Sequence, residues 1–197
     1  MRKTKLVGLF TFIILITFFA FTNLSAHCDG IDGPVVKAAK KALEENNINY
    51  ALIWVKKEHE DAIKKSFENT LKVRVLSPDA KELADMYFFE TLVRLHRQGE
   101  GEMYAGLKPS GTDIGKAIPA ADEAIENNDI HKLHGIVPTK DMKEVEGLFN
   151  KVMSKKNFDV NNVEVGREYV EAYVKFIHKV EVTSTGKEEE HKEKHVH

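Results

Sequence analysis

The sequence predicts an all-α fold in which a duplicated three-helix unit forms a pseudo-twofold six-helix bundle. Three observations predict it. Ala38-Ala39-Lys40-Lys41-Ala42-Leu43-Glu44-Glu45-Asn46-Asn47-Ile48 matches Ala120-Ala121-Asp122-Glu123-Ala124-Ile125-Glu126-Asn127-Asn128-Asp129-Ile130, an offset of 82. The same register runs on without a gap, so that 12 of the 65 positions from Gly33/Gly115 to Arg97/Lys179 are identical. Apolar residues in both copies recur at helical rather than strand spacing.

The elements follow in order. Val35, Val36, Ala39, Ala42 and Leu43 share one helical face, as do Ala117, Ile118, Ala121, Ala124 and Ile125. Asn46-Asn47 and Asn128-Asp129 end those helices. A second helical region covers about 49–73, interrupted near residue 57, with Ile63, Phe67 and Leu71 on one face; its counterpart at about 131–156 carries Val145, Phe149 and Met153 and is broken by Pro138. Ile48–Val55 is an apolar run compatible with helix or strand. The third helix opens with a capping box in each copy, Asp79-x-x-Glu82 and Asn161-x-x-Glu164, and runs to about Gln98 and Val182. Met86–His96 and Tyr169–Ile177 are apolar nearly all round, the pattern of a centrally buried helix.

These parts give the organisation: a signal peptide over residues 1–26, one helical domain over 27–183 built of repeats 33–97 and 115–179 joined by a glycine-rich loop at 98–114, and a disordered His-rich tail at 184–197. Arg2, Lys3 and Lys5 precede an apolar run from Leu6 to about Phe21, and Leu24-Ser25-Ala26 supplies the small residues of a cleavage site. The apolar core is shorter than the roughly 20 residues a spanning helix needs, so any membrane association runs only through the uncleaved leader. His27 stands where a lipoprotein signal wants a small residue. The protein is therefore expected to be exported, to the periplasm or the extracellular space. Without the leader's three basic residues, 26 Lys and Arg face 31 Asp and Glu, which gives no nucleic-acid surface. A single cysteine excludes an internal disulfide, and an oligomer is compatible with the sequence.

Cleavage after Ala26 makes His27 the first residue and Cys28, the lone cysteine, the second. An α-amine, which titrates at about 8, an imidazole, a peptide nitrogen and a thiol then lie within two residues and form chelate rings locally. That donor set favours nickel or copper, with iron or zinc also accommodated. The metal-ligand candidates are His27, Cys28, His96, His178, Glu90 and Glu171, with His27 and Cys28 also the catalytic pair. His96 and His178 correspond in the repeat, and Glu90 and Glu171 lie in apolar stretches where a carboxylate needs a partner. The alternative is internal pairing: Glu90 with Arg94 or Arg167, and each histidine with a backbone carbonyl. Arg97 and Lys179, also paired by the repeat, are the residues expected to steer a small anion. His59, His131 and His134 do not recur and read as surface or satisfied residues.

His27-Cys28-Asp29-Gly30-Ile31-Asp32-Gly33 resembles the mature amino terminus of nickel superoxide dismutases, helical-bundle enzymes that begin His-Cys-Asp. The resemblance implies His27 and Cys28 as ligands and superoxide as substrate; Asp32 occupies the position of that family's second thiolate. The whole chain also resembles an exported bacterial family of unknown function, through His27-Cys28-Asp29, Asp32-Gly33-Pro34-Val35-Val36, His96-Arg97-Gln98-Gly99-Glu100-Gly101 and Gly106-Leu107-Lys108-Pro109. The function expected is superoxide dismutase-like redox chemistry at a processed N-terminal metal site. The alternatives are a non-enzymatic metal-binding or metal-delivery protein, or a helical interaction domain with structural histidines.

Overall fold

A computed structural model describes residues 27–186. The leader and the last eleven residues, 187–197, lie outside the described residues, and with them the expectations for the signal peptide and most of the His-rich tail. The described chain is all-α, with seven helices: α1 Pro34–Glu45, α2 Asn49–Leu52, α3 Glu60–Val73, α4 Pro78–Glu100, α5 Ala117–Asn127, α6 Thr139–Lys155 and α7 Val163–Thr185. Tight helical turns at Lys57–His59 and Ile130–Leu133 precede α3 and follow α5. The ambiguous run Ile48–Val55 is α2 and the turns around it. Among the described residues no helix is long and apolar enough to cross a membrane.

Each helix starts and stops for a local reason. Gly33 precedes Pro34, whose ring suits the first turn of α1. Asn46 and Asn128 take left-handed conformations, φ 50° and 53°, and close α1 and α5 at equivalent points. The expected capping boxes do not form at Asp79 and Asn161. Ser77 caps α4 by accepting from the Ala80 amide, and Asn162 caps α7 by accepting from the Val165 amide. Gly101 and Gly186 end those helices in left-handed conformations. The long helices therefore outrun their expected ends at Gln98 and Val182.

Helix α4 packs on α1 and α3, and α7 packs on α5 and α6. Phe67 meets Phe88 with ring centroids 5.5 Å apart, and Phe149 meets Phe176 at 5.7 Å. Arg167 on α7 ties the halves together: it donates to the carbonyls of Val55 and Leu52, which end the α2 segment, and to the carboxylates of Glu60 and Glu164. Helix α4 is not buried all round, because Leu83 is 73% and Tyr87 53% exposed. The corresponding Tyr169 is covered by Phe158 from the loop before α7, at 5.3 Å between centroids.

Three longer helices follow one another in each half, α2 having no counterpart in the second, and the register between the halves changes. Phe67 and Phe149 keep the offset of 82. The segment 74–77 between α3 and α4 has four residues, and 156–162 between α6 and α7 has seven, three more. From there both helix caps stand 85 apart, Ser77 to Asn162 and Gly101 to Gly186. The buried faces agree with that shift: Leu92 corresponds to Ile177, Leu95 to Val180 and His96 to Glu181. In the frame of caps and burial, His96 and His178 are not equivalent.

Gly166 marks the closest approach of α7 to the α2 segment, since a Cβ there would lie 2.4 Å from Ile53 Cγ2 and 3.0 Å from Phe158 Cε2. Gly166→Ala is expected to lower stability by about 1–3 kcal/mol through overpacking. Gly147→Ala, on α6 with nothing within 4 Å of the new carbon, is expected to raise it by about 0.5–1 kcal/mol. Urea unfolding midpoints of the two variants check both signs.

Candidate functional site

The first described residues, 27–29, do not trail from the bundle; they are part of the core. His27 is 6% exposed, Cys28 0% and Asp29 2%. The chain turns sharply there, the Gly33 amide donating to the Gly30 carbonyl, and a Cβ on Gly33 would lie 2.0 Å from the His27 carbonyl oxygen. Only glycine permits that approach. The connection between the halves then clasps the segment. The Lys108 amide donates to the Asp29 carbonyl at 2.9 Å, and the Ile31 amide donates to the Lys108 carbonyl at 3.0 Å. Asp32 accepts from the Ser110 hydroxyl and the Gly111 amide, both at 2.9 Å, and these bonds hold its carboxyl below the usual range. Asp32 is thus engaged with the connecting loop.

A polar set surrounds the tripeptide. His27 Nε2 donates to Asp122 Oδ2 at 2.9 Å, and the Tyr173 hydroxyl donates to Asp122 Oδ1 at 2.7 Å. Burial, then the Asp122 charge, pushes the Tyr173 phenol well above its ordinary range. His27 Nδ1 is buried without a hydrogen-bond partner. Burial, then the Glu100 carboxylate, pushes the Cys28 thiol far above the usual thiol range, against the opposing pull of Arg97. Burial also raises the Asp29 carboxyl to about 6, against Arg97 and Lys108. Arg97 Nε lies 3.6 Å from Asp29 Oδ1, its Nη1 donates to Glu100 Oε2 at 2.9 Å, and its Nη2 is 3.7 Å from Glu102 Oε2.

The remaining expected residues are placed as follows. His96 is buried; its Nδ1 donates to the Trp54 carbonyl at 2.9 Å, and burial lowers its pKa. Glu100 acts electrostatically on both Cys28 and His96. Glu90 accepts from the Tyr104 hydroxyl rather than from Arg94 or Arg167. Glu171 is exposed and paired with Lys175, so it is a surface residue. Lys179 pairs with Glu144 at 2.7 Å, and His178 is half-buried on α7. Arg97 is 3% exposed and bound up with carboxylates, which leaves it poorly placed to attract an anion from solvent. His131 and His134 are exposed and meet edge to face, their centroids 4.8 Å apart. Among the described residues no group of three or more His, Cys, Asp or Glu side chains is arranged to hold a metal.

A family model covers residues 32–179, both halves of the fold. The chain belongs to DUF6448, a family of unknown function. The match begins after His27-Cys28-Asp29 and carries no activity. No curated protein and no solved structure matches the chain. The DUF6448 core thus forms the cradle, and the tripeptide it receives lies just ahead of the matched region. Sequence reasoning missed the parts that Asp122, Tyr173 and Glu100 play in the cradle. Asp122 meets His27 across 95 residues, and Glu100, although it lies in the segment His96-Arg97-Gln98-Gly99-Glu100-Gly101, carried no sign that it acts on Cys28.

Asp29 gives this arrangement a pH signature. A carboxyl raised from 3.8 to about 6 binds its proton more tightly in the folded protein. Its contribution is therefore fully present below 3.8 and is lost as pH rises through about 6. By linkage the swing approaches about 3 kcal/mol. The metal-free protein should lose stability relative to Asp29→Asn between pH 4 and pH 7.5, and melting temperatures of both proteins across that range check the sign.

Proposed function

We propose that this protein is an exported metalloprotein whose metal site is made by removal of the leader after Ala26. Its donors are the new α-amine and Nδ1 of His27 and the amide nitrogen and thiolate of Cys28. One observation carries the reading: Asp122 holds His27 Nε2 at 2.9 Å while Nδ1 is buried and unpartnered, beside a fully buried thiol. A carboxylate on one ring nitrogen fixes the tautomer and leaves the other nitrogen as the ligand, the usual arrangement around a metal-bound histidine. Only two of these donors besides the amine and amide are side chains, which fits the absence of a three-side-chain cluster among the described residues. Amine, imidazole and thiolate together favour nickel or copper, with iron or zinc accommodated. His96 is not needed in this shell, since it lines a separate groove and bonds Trp54. The repeated succession of three longer helices is read in the same way as a duplicated unit that gained three residues between its second and third helices.

Metal binding or delivery is the role these surroundings support best. Arg97 and Lys179 are paired with carboxylates, and the pocket onto which His27 opens is lined by Asp32, Asp122, Glu123 and Glu126 with a single lysine, Lys37. Such a mouth favours an incoming cation over an anion. Superoxide dismutase-like chemistry is the second reading, favoured by His27-Cys28-Asp29 itself.

Binding must displace the proton from the Cys28 thiol, so metal affinity rises with pH. Mature protein beginning at His27 is expected to bind one nickel or copper ion, read by mass spectrometry under native conditions. Asp122→Ala should weaken binding by about 10–100-fold, and one alanine added before His27 should weaken it more, with circular dichroism unchanged. Equal affinity in the extended protein contradicts the amine as ligand. Rapid superoxide decay with the loaded protein, absent in Cys28→Ser, selects the redox reading over delivery.

A further inference from the structure

A second site lies away from the tripeptide. Between α4, α7 and the Ile53–Lys56 turn is a groove of about 340 Å³, within the range of small-molecule sites. Ile53, Trp54, Val55, Val170 and Val174 make it predominantly apolar, and two acceptors stand in its lining. The first is His96 Nε2. His96 is 3% exposed, and because its Nδ1 faces a carbonyl, which only accepts, Nδ1 carries the proton and Nε2 presents a lone pair. Nε2 is buried without a hydrogen-bond partner. The second is Glu100 Oε1, 3.5 Å from Nε2, while Oε2 of the same carboxylate is taken by Arg97. Two acceptors do not bond each other. A donor placed against them satisfies what the protein leaves open.

We infer that this groove binds a small neutral molecule with an apolar body and a hydroxyl group, the hydroxyl donating to His96 Nε2 or Glu100 Oε1. A neutral ligand suits the charges of the lining, which are largely paired: Glu100 with Arg97, Arg167 with Glu60 and Glu164, and Lys175 with Glu171. The inference uses none of the donors of the proposed metal site, although Glu100 also acts on the Cys28 thiol.

Trp54, the single tryptophan, lines the groove and packs edge to face on His96 at 5.6 Å, so its fluorescence reports occupancy. The probe is phenol, with anisole, which has the same ring and no donor, as the control. Phenol is expected to change Trp54 emission with a dissociation constant of about 1 mM, and anisole to bind about fivefold more weakly. Val174→Trp, at a half-buried wall position on α7, should abolish a nuclear magnetic resonance shift map of phenol on the groove while preserving the helical spectrum. His96→Phe should narrow the difference between phenol and anisole, since it removes one of the two acceptors and leaves Glu100 Oε1. Equal binding of the two probes by the unaltered protein, or no response to phenol at 20-fold above the expected constant, overturns the inference; the latter leaves the groove to bound water. Phenol binding that survives Val174→Trp overturns it as well.

Discussion

Burying a polar tripeptide in a helical core is the constraint on which the rest of this structure turns. His27, Cys28 and Asp29 are all under a tenth exposed, and each polar group taken from water needs a partner. Asp122, itself held by Tyr173, answers His27; Arg97 answers Asp29; the Lys108 main chain answers the Asp29 carbonyl. Those partners come from α5, α7, α4 and the connecting loop, so the tripeptide is where both halves of the bundle and their linker converge. Gly33 makes the convergence sterically feasible, because any side chain there would strike the His27 carbonyl. The 98–114 stretch, glycine-rich in sequence, serves as a clasp: its first residues finish α4, and Lys108, Ser110 and Gly111 grip the segment.

Local signals made much of the fold legible. Apolar spacing placed the buried faces of α1, α3, α5 and α6, and the asparagines at 46 and 128 closed their helices in the left-handed conformation. The caps of α4 and α7 misled because Asp79 and Asn161 have Glu82 and Glu164 three positions on, whereas Ser77 and Asn162, which do cap the helices, are followed there by Ala80 and Val165 and show no capping box in sequence. Sequence identities at His96/His178 likewise held the gapless register through a point where the structure inserts three residues. At the site, His27 and Cys28 drew notice because a cleavage pattern in the sequence ends just before them. Glu171 was misplaced because a carboxylate amid apolar residues on a helix can still face solvent, where Lys175 meets it. Asp122 and Tyr173 had no signal, since each acts at the site through a partner far away in sequence, and so does Glu100 in its effect on Cys28.

The chemistry of the cradle depends on what occupies it. With no metal, Cys28 is a protonated thiol sealed from solvent, with Glu100 opposing its ionisation, and so is protected from oxidation. In the proposed site a metal cation would reverse that balance, since its charge would stabilise the thiolate that burial and Glu100 disfavour. His27 Nδ1, unpartnered otherwise, would gain a partner at the same time. Relief of both features together is the physical case for the proposal of a site formed by processing and completed by a metal.

X-ray absorption at the metal edge of the mature, loaded protein tests that case most directly. The account predicts one sulfur donor, at about 2.3 Å if the metal is zinc, with the remaining inner-sphere scatterers nitrogen, and loss of the sulfur shell in Cys28→Ser. A spectrum fitted by nitrogen and oxygen alone in the unaltered protein contradicts it.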